Sequence, residues 1–172
     1  MSVEIRPLSS ADDLARARRL FSEYAASLPF DLSFQDFERE LAGLPGAYAL
    51  PSGALLLAME GNEPAGCVAL RALAPEVCEM KRLYVRPSHR GTGLGRRLVH
   101  AIMTEGRSRG YARMRLDTVP GMEAAIALYR ACGFHEIPPY RANPIQGALF
   151  LEAELGSGVD PPGGADRASD VA

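Results

Sequence analysis

The chain opens on alternation. Val3 and Ile5 alternate with Glu4 and Arg6 before Pro7, which predicts a short strand over Val3–Leu8. From there the period changes: Leu14, Ala17, Leu20, Phe21, Tyr24 and Leu28 recur at spacings of three and four, so one side of a helix is apolar. Ser9 or Ser10 supplies its N-cap, Asp12 and Asp13 complement the helix dipole, and Pro29 ends it. Ser33 with Asp36, then Phe34, Phe37, Leu41 and Leu44, predict a second, shorter helix stopped by Gly43, Pro45 and Gly46. Two mostly apolar runs, 54–59 and 65–73, flank Gly61-Asn62-Glu63-Pro64 and predict a hairpin of buried strands. A third strand runs from Val77 to Val85. After Gly91-Thr92-Gly93, the set Leu94, Leu98, Ala101 and Ile102 predicts a helix to about Arg109, closed by Gly110. Ala112–Thr118 predicts a strand, Met122–Ala131 a helix stopped by Gly133, and Ala148–Leu155 a last strand.

This order describes an α/β fold: a mixed sheet with antiparallel hairpin strands first, a parallel crossover around the Gly-rich turn, and flanking helices. The 172 residues, 47% of them hydrophobic, suffice for one domain, placed over residues 1–155. Residues 156–172 are rich in Gly, Pro and Asp, nearly devoid of large apolar side chains, and predicted to be a disordered tail. No apolar run approaches the roughly 20 residues of a membrane span, and the N-terminus lacks a signal-peptide layout. The expectation is a soluble cytoplasmic protein. Cys67, Cys78 and Cys132 form no Cys-x-x-Cys pair, and His89, His100 and His135 stand apart, so no metal is expected.

Net charge is only −2, yet it is unevenly spread. Between Met80 and Leu116 lie ten basic residues, from Lys81 to Arg115, against Glu105 alone. Such a local excess in an acidic chain predicts a polyanionic small ligand rather than nucleic acid, which usually meets a basic balance over the whole domain. A solvated arginine-rich helix face is the competing reading. Arginine outnumbers lysine eighteen to one, a bias expected of GC-rich coding.

The chemistry concentrates in Glu79 to Leu98. A strand feeds a loop with glycines at 91, 93 and 95, and the loop opens into a helix whose free N–H groups point back at the strand tip. That is an anion cradle, with Arg90, Arg96 and Arg97 adding charge. It is no Walker loop, because Gly95 is followed by Arg96-Arg97. It is no dinucleotide fingerprint either, because the third glycine comes one position early.

The run Arg90-Gly91-Thr92-Gly93-Leu94-Gly95 resembles the Arg/Gln-x-x-Gly-x-Gly/Ala signature of the GNAT superfamily of acetyl-CoA-dependent N-acyltransferases. Leu83-Tyr84-Val85-x-Pro87 before it, and Ala125-Ile126-x-Leu128-Tyr129-x-x-x-Gly133-Phe134 after it, are similar to that superfamily's adjoining segments. The resemblance implies a sheet with a splayed central strand pair. It further implies that backbone amides from Gly91 to Arg96, with Thr92 and Leu94 between the glycines, hold the pyrophosphate of coenzyme A. Leu83, Tyr84 and Val85 would pair with its pantetheine arm, the Val85 N–H facing the acetyl carbonyl. Tyr129 matches the tyrosine that protonates the departing sulfur, and Glu79 the glutamate that, where present, takes the ammonium proton. Burial is expected to raise the pKa of Glu79 towards neutrality. The residues alone also allow Tyr129 as a core tyrosine and Glu79 as a strand glutamate paired with Lys81 or Arg115. Many relatives place Asn where this chain has Met122, which puts one coenzyme contact in doubt. Tyr140, Arg141 and Asn143, in a Pro-rich loop, are candidate acceptor contacts or a plain turn. Cys78 and Cys132 have no activating partner at a diagnostic spacing and are read as buried hydrophobes.

The expected function is transfer of the acetyl group of acetyl-CoA to a primary amine of a small molecule or amino acid. The alternatives are a coenzyme A-binding regulatory module without catalysis and a protein (Lys or N-terminal) acetyltransferase. The expected partners are acetyl-CoA and an amine, with no nucleic acid and no membrane; a homodimer is compatible with this reading.

Overall fold

The computed structural model describes residues 2–33 and 36–156, so Phe34 and nearly all of the predicted tail lie outside the described residues. In chain order the elements are β1 (Glu4–Pro7), α1 (Ala11–Ser27), α2 (Phe37–Ala42), β2 (Ala54–Glu60), β3 (Glu63–Ala74), β4 (Val77–Val85), α3 (Leu94–Ser108), β5 (Arg113–Thr118), α4 (Glu123–Ala131), β6 (His135–Ile137) and β7 (Leu149–Glu154).

Ser10, in extended conformation, caps α1 by accepting the Asp13 N–H at 3.1 Å. The Asp13 carboxylate is itself buried. It is held well below the usual carboxylate range, first by Arg6 and then by Ser9 and Arg16, which ties β1 to the first turn of the helix. The second helix starts later than predicted. The Ser33 N–H donates to Asp31 Oδ1 at 2.6 Å, and Asp36, in the left-handed region at φ 57°, heads α2 without a side-chain cap.

The sheet has the order β1-β2-β3-β4-β5-β7-β6 and is antiparallel except between β4 and β5. The β2–β3 turn is tighter than expected, with Glu60 opposite Glu63 and Met59 opposite Pro64. Pro64 is tolerated in the strand because the register slips between Ala58 and Met59, where a ladder bond is lost in any case. The edge strand β6 has three residues and an exposed, polar start, too short to leave a periodic signal.

Two apolar layers sandwich the sheet. On one face, Leu98, Ile102, Met80, Met114 and Leu151 pack under α3 and α4. On the other, Leu20 and Phe21 of α1 and Phe37 of α2 cover Leu57, Cys67 and Tyr84. The parallel pair is short: Val77, Cys78 and Glu79 meet Arg113, Met114 and Arg115, and beyond them the two strands diverge. This is the expected splay, and it leaves one edge of the C-terminal half of β4 without a strand beside it.

Candidate active site

The splay is built by a bulge. Arg82 sits at φ 60°, and the β3–β4 register slips between the pairs Ala69–Lys81 and Cys67–Tyr84. The Arg82 guanidinium is pinned by Glu40 of α2 through two bonds of 2.8 and 2.9 Å and lies over the Phe37 ring. Between the diverging strands, Tyr24, Lys81, Leu83, Leu116, Asp117 and Tyr129 line a crevice of about 40 Å³. A neighbouring cavity of about 50 Å³ shares Tyr24, Leu83, Asp117 and Tyr129 and adds Leu28, Phe30, Leu32, Met122 and Asn143.

Tyr129 of α4 is 8% exposed and packs edge-to-face on Phe134. Burial pushes its phenol above the ordinary value, with the nearby Tyr24 and Asp117 adding to the rise, so it stays protonated well beyond neutral pH. Asp117 faces the same space from β5, and its Oδ2 accepts from Asn143 Nδ2 at 3.1 Å.

Successive strands place charges on one side of the sheet beside this crevice. Glu79 and Lys81 share a face of β4, being two residues apart, and Arg71 lies opposite Glu79 in the antiparallel register. Glu79 is 0% exposed. Its Oε1 accepts from Arg71 at 3.0 Å; its Oε2 accepts from the Tyr140 hydroxyl at 2.7 Å and from Arg141. Burial alone raises its pKa, as expected, but Lys81, Arg141, the Tyr140 hydrogen bond and Arg71 outweigh that, and the net direction is downward. The expected rise towards neutrality is therefore corrected: the cations Lys81, Arg141 and Arg71, with the Tyr140 hydroxyl, outweigh burial. Its partners are Arg71, Arg141 and Tyr140, while Arg115 pairs with Glu152 of β7 at 2.7 Å instead. Lys81 is only 6% exposed, and burial, helped by Arg82, brings its pKa down to about 8 against the pull of Glu79 and Asp117.

The loop after β4 forms as predicted, and its glycines serve different ends. Gly91 and Gly93 occupy the left-handed region at φ 77° and 83°, and a Cβ at either would meet nothing within 4 Å, so the space above them is open. At Gly95 a Cβ would sit 3.2 Å from the Leu128 side chain, so there the glycine lets α3 pack against α4. Gly93 caps α3, and the first helical bond runs from Arg97 N–H to the Gly93 carbonyl at 3.1 Å, so the backbone N–H groups of the first turn lie ahead of the helical ladder. Thr92 Oγ1 braces the loop by donating to the His89 carbonyl at 2.6 Å.

Much of the arginine-rich stretch is tied to the protein itself. Arg90 bonds the Val85 carbonyl at 2.9 Å, Arg97 the Val3 carbonyl at 2.8 Å, and Arg86 holds Glu23 at 3.0 and 2.7 Å. Arg82, Arg109 and Arg115 are likewise paired with Glu40, Glu105 and Glu152. Most of the local positive excess is thus spent on internal tethers.

The structure brings Glu79, Tyr140 and Arg141 into one cluster and sets Asn143 on Asp117, beside the crevice that Leu83 and Tyr129 line. Tyr84 packs towards α1 and its hydroxyl reaches Glu23 at 3.3 Å, so its side chain is turned away from the splay. Met122 stands at the N-terminus of α4 without a side-chain cap and lines the cavity. Burial raises the thiols of Cys67, Cys78 and Cys132, that of Cys78 up to about 12, which fits inert packing. Arg71, Lys81 and Asp117 were not singled out as site residues from sequence. The signal was present in the alternation Arg113, Arg115, Asp117 along β5 and Glu79, Lys81 along β4, charges on the second face of interior strands. Among the described residues no helix is long and apolar enough to cross a membrane, and no cluster of three His, Cys, Asp or Glu side chains is placed to hold a metal.

Comparison with known proteins bears on this geometry. The family model described as Acetyltransferase (GNAT) family matches residues 15–134. An uncharacterized N-acetyltransferase of Schizosaccharomyces pombe is 37% identical over 156 residues, covering 90% of this chain and 96% of the relative. A putative acetyltransferase from Salmonella typhimurium, solved with acetyl-CoA as its cofactor, superposes with a TM-score of 0.71 at 22% identity, covering 95% of this chain and 99% of that one. The PaiA N-acetyltransferase of Thermoplasma acidophilum, solved with coenzyme A, gives 0.69 at 18% identity over 90% of this chain and 99% of that one. At those identities the two structures speak for the fold.

Proposed function

The chain belongs to the GNAT acetyltransferase family, and from that premise we propose that it transfers the acetyl group of acetyl-CoA to a primary amine on a small molecule or amino acid. The observation that carries the reading is the splay itself: a strand edge open from Met80 to Val85, with an open anion cradle beyond one end and a protonated tyrosine lining the gap.

The residues present fit the cofactor. Backbone N–H groups from Gly91 to Arg96 hold the pyrophosphate, where the open space above Gly91 and Gly93 admits it and a Cβ with a side chain would intrude. The free edge at Leu83–Val85 offers N–H and C=O groups to the two amides of pantetheine, in the manner of an added strand. Bound acetyl-CoA supplies an activated carbonyl and a thiol leaving group. Tyr129 holds a proton at its hydroxyl for the departing sulfur, and burial keeps that proton in place until a base arrives. Glu79 is the anion that gathers Arg71, Tyr140 and Arg141 and so fixes the loop over the site. Asn143 and Asp117 shape the acceptor side.

A small acceptor is favoured over a protein because the crevice is closed from two directions. The segment Leu28–Leu32 after α1 and Asn143 of the β6–β7 connection line the same cavity of about 50 Å³, which leaves a narrow mouth rather than an open groove for a peptide. The test is calorimetric titration with acetyl-CoA, followed by thiol release across a panel of amines and amino acids, on wild type and Gly93→Glu. Binding and release by the wild type, with both lost in Gly93→Glu, is the expected result. Binding without release on any small amine, and release on peptides, would move the acceptor to proteins. Binding without release on any acceptor would favour a regulatory module.

A further inference from the structure

Lys81 is the only lysine in a chain with eighteen arginines, and it is one of the residues lining the crevice between β4 and β5. Wherever this protein needs a permanent cation it uses arginine: on Glu23, Glu40, Glu79, Glu105 and Glu152 alike. The guanidinium never gives up its proton in a protein, whereas a lysine amine in a dry site does. Among its lysine and arginine side chains, the one able to become neutral at working pH therefore lines the same crevice as Tyr129, Leu83 and Asp117.

The groups around it set the balance. Arg82 on β4 and Arg71 on β3 disfavour its charged form; Glu79 on β4 and Asp117 on β5 favour it; Tyr24 of α1 and Tyr129 of α4 complete the wall. Desolvation prevails, and the amine titrates at about 8. Glu79, the other candidate for this task, has both oxygens occupied by Arg71, Tyr140 and Arg141 and is held acidic, which suits an anchor better than a proton acceptor.

Resting on the transferase reading above, we propose that the Lys81 amine is the general base that removes the proton of the incoming acceptor ammonium. The proton moves from the acceptor nitrogen to Lys81 Nζ. No bond to carbon forms at Lys81. The neutral acceptor keeps its lone pair for the acetyl carbon, and the Lys81 ammonium, steadied by Asp117 and Glu79, returns the proton to solvent before the next turnover.

A single lysine makes the test direct. Protein made with 13C,15N-lysine carries one labelled side chain, whose ε-methylene and amine shifts are followed against pH, with and without coenzyme A. A midpoint near 8, matched by a rising limb of kcat/KM at the same pH, is the expected result. Lys81→Arg, which keeps the charge but cannot deprotonate, is expected to lose about a hundredfold or more in kcat/KM. Its acetyl-CoA affinity should stay within about threefold of wild type, which also shows that it folds. Lys81→Met should be as impaired, with no rescue by the charge-preserving variant. A lysine midpoint of 10 or above, or a Lys81→Arg enzyme with the wild-type rate and profile, overturns the proposal while leaving the transferase standing. A Glu79→Gln enzyme that loses the rising limb while Lys81 still titrates in it also overturns it. Wild-type protein that neither binds acetyl-CoA nor releases thiol overturns the transferase reading and this proposal together.

Discussion

One face of the sheet is finished in two different ways. Over β2, β3 and the start of the bulge, α1 and α2 lay down Leu20, Phe21 and Phe37 against Leu57, Cys67 and Tyr84, and the layer is apolar and closed. A few ångströms away, over β3, β4, β5 and β7, the same face carries Arg71, Glu79, Lys81, Arg115, Asp117 and Glu152, roofed by Tyr140, Arg141 and Asn143 of a loop. Removing apolar surface from water stabilises the first half without directional demands. The second half has to recover the desolvation of each ion through a specific partner, and so contributes little net stability while fixing side chains in place. A fold keeps such an arrangement where placement matters more than stability, and here that is the open end of β4.

The comparison breaks first, and by the largest margin, at Phe21. It is fully buried and meets the Tyr48 ring edge-on at 6.0 Å. Phe21→Ala should cost about 3–5 kcal/mol in denaturant unfolding while kcat of the folded enzyme stays within about twofold. A kcat that falls with stability would show that the apolar half also shapes the site. Tyr129→Phe is the mirror case. It removes one hydroxyl from the crevice and should lower kcat by about a hundredfold, with the melting temperature and acetyl-CoA affinity nearly unchanged. Unchanged turnover would return Tyr129 to the core.

How much of this was legible follows the same division. The apolar half wrote itself into the chain as periodicity: three- and four-residue spacing along α1, continuous runs in β2 and β3, alternation in β1. The glycine loop was legible because glycine at 91 and 93 answers a backbone need, φ of 77° and 83°, that few other residues meet. Gly95 looked the same and was not, since its constraint comes from Leu128, distant in sequence. The charged half was least legible. That Arg141 lands on Glu79, 62 positions away, depends on β6 and its connection, and β6 is too short to announce itself. Within the arginine-rich stretch, nothing local tells an arginine that binds a ligand from one that ties off a carbonyl such as Val3.

Between these extremes, Lys81 offers a measurement of stability rather than rate. Its folded-state pKa of about 8 lies below the reference of 10.5, so between those values the unfolded chain binds a proton that the folded chain has released. Stability therefore rises with pH across that window, by about 3 kcal/mol in total at 1.36 kcal/mol per unit. Below pH 8 both states are protonated and the deficit is constant. Subtracting the pH profile of Lys81→Met from that of wild type removes the titrations not coupled to Lys81 and exposes the rise. A flat difference from pH 8 to 10.5 would mean the crevice is wetter than its walls imply.

The smallest effect, and the finest test of the comparison, is expected at Asn143. Its amide joins loop to sheet by one bond to Asp117 Oδ2, and its Oδ1 accepts the Ile145 N–H at 2.9 Å, so it orders both the carboxylate and the turn that carries it. Asn143→Ala removes both bonds at a half-buried site where water can replace them, and should cost less than about 1 kcal/mol in stability. If the charged half exists to place groups rather than to stabilise the fold, the loss should show instead in the acceptor's KM, raised about three- to tenfold, with kcat and acetyl-CoA affinity hardly moved. Asn143→Asp sharpens the point: it sets a second carboxylate against Asp117, and the repulsion should raise KM further without a comparable loss of stability. Should both variants lose stability and leave KM alone, the loop would be a structural roof like α1, and the two halves of the face would differ in chemistry but not in purpose.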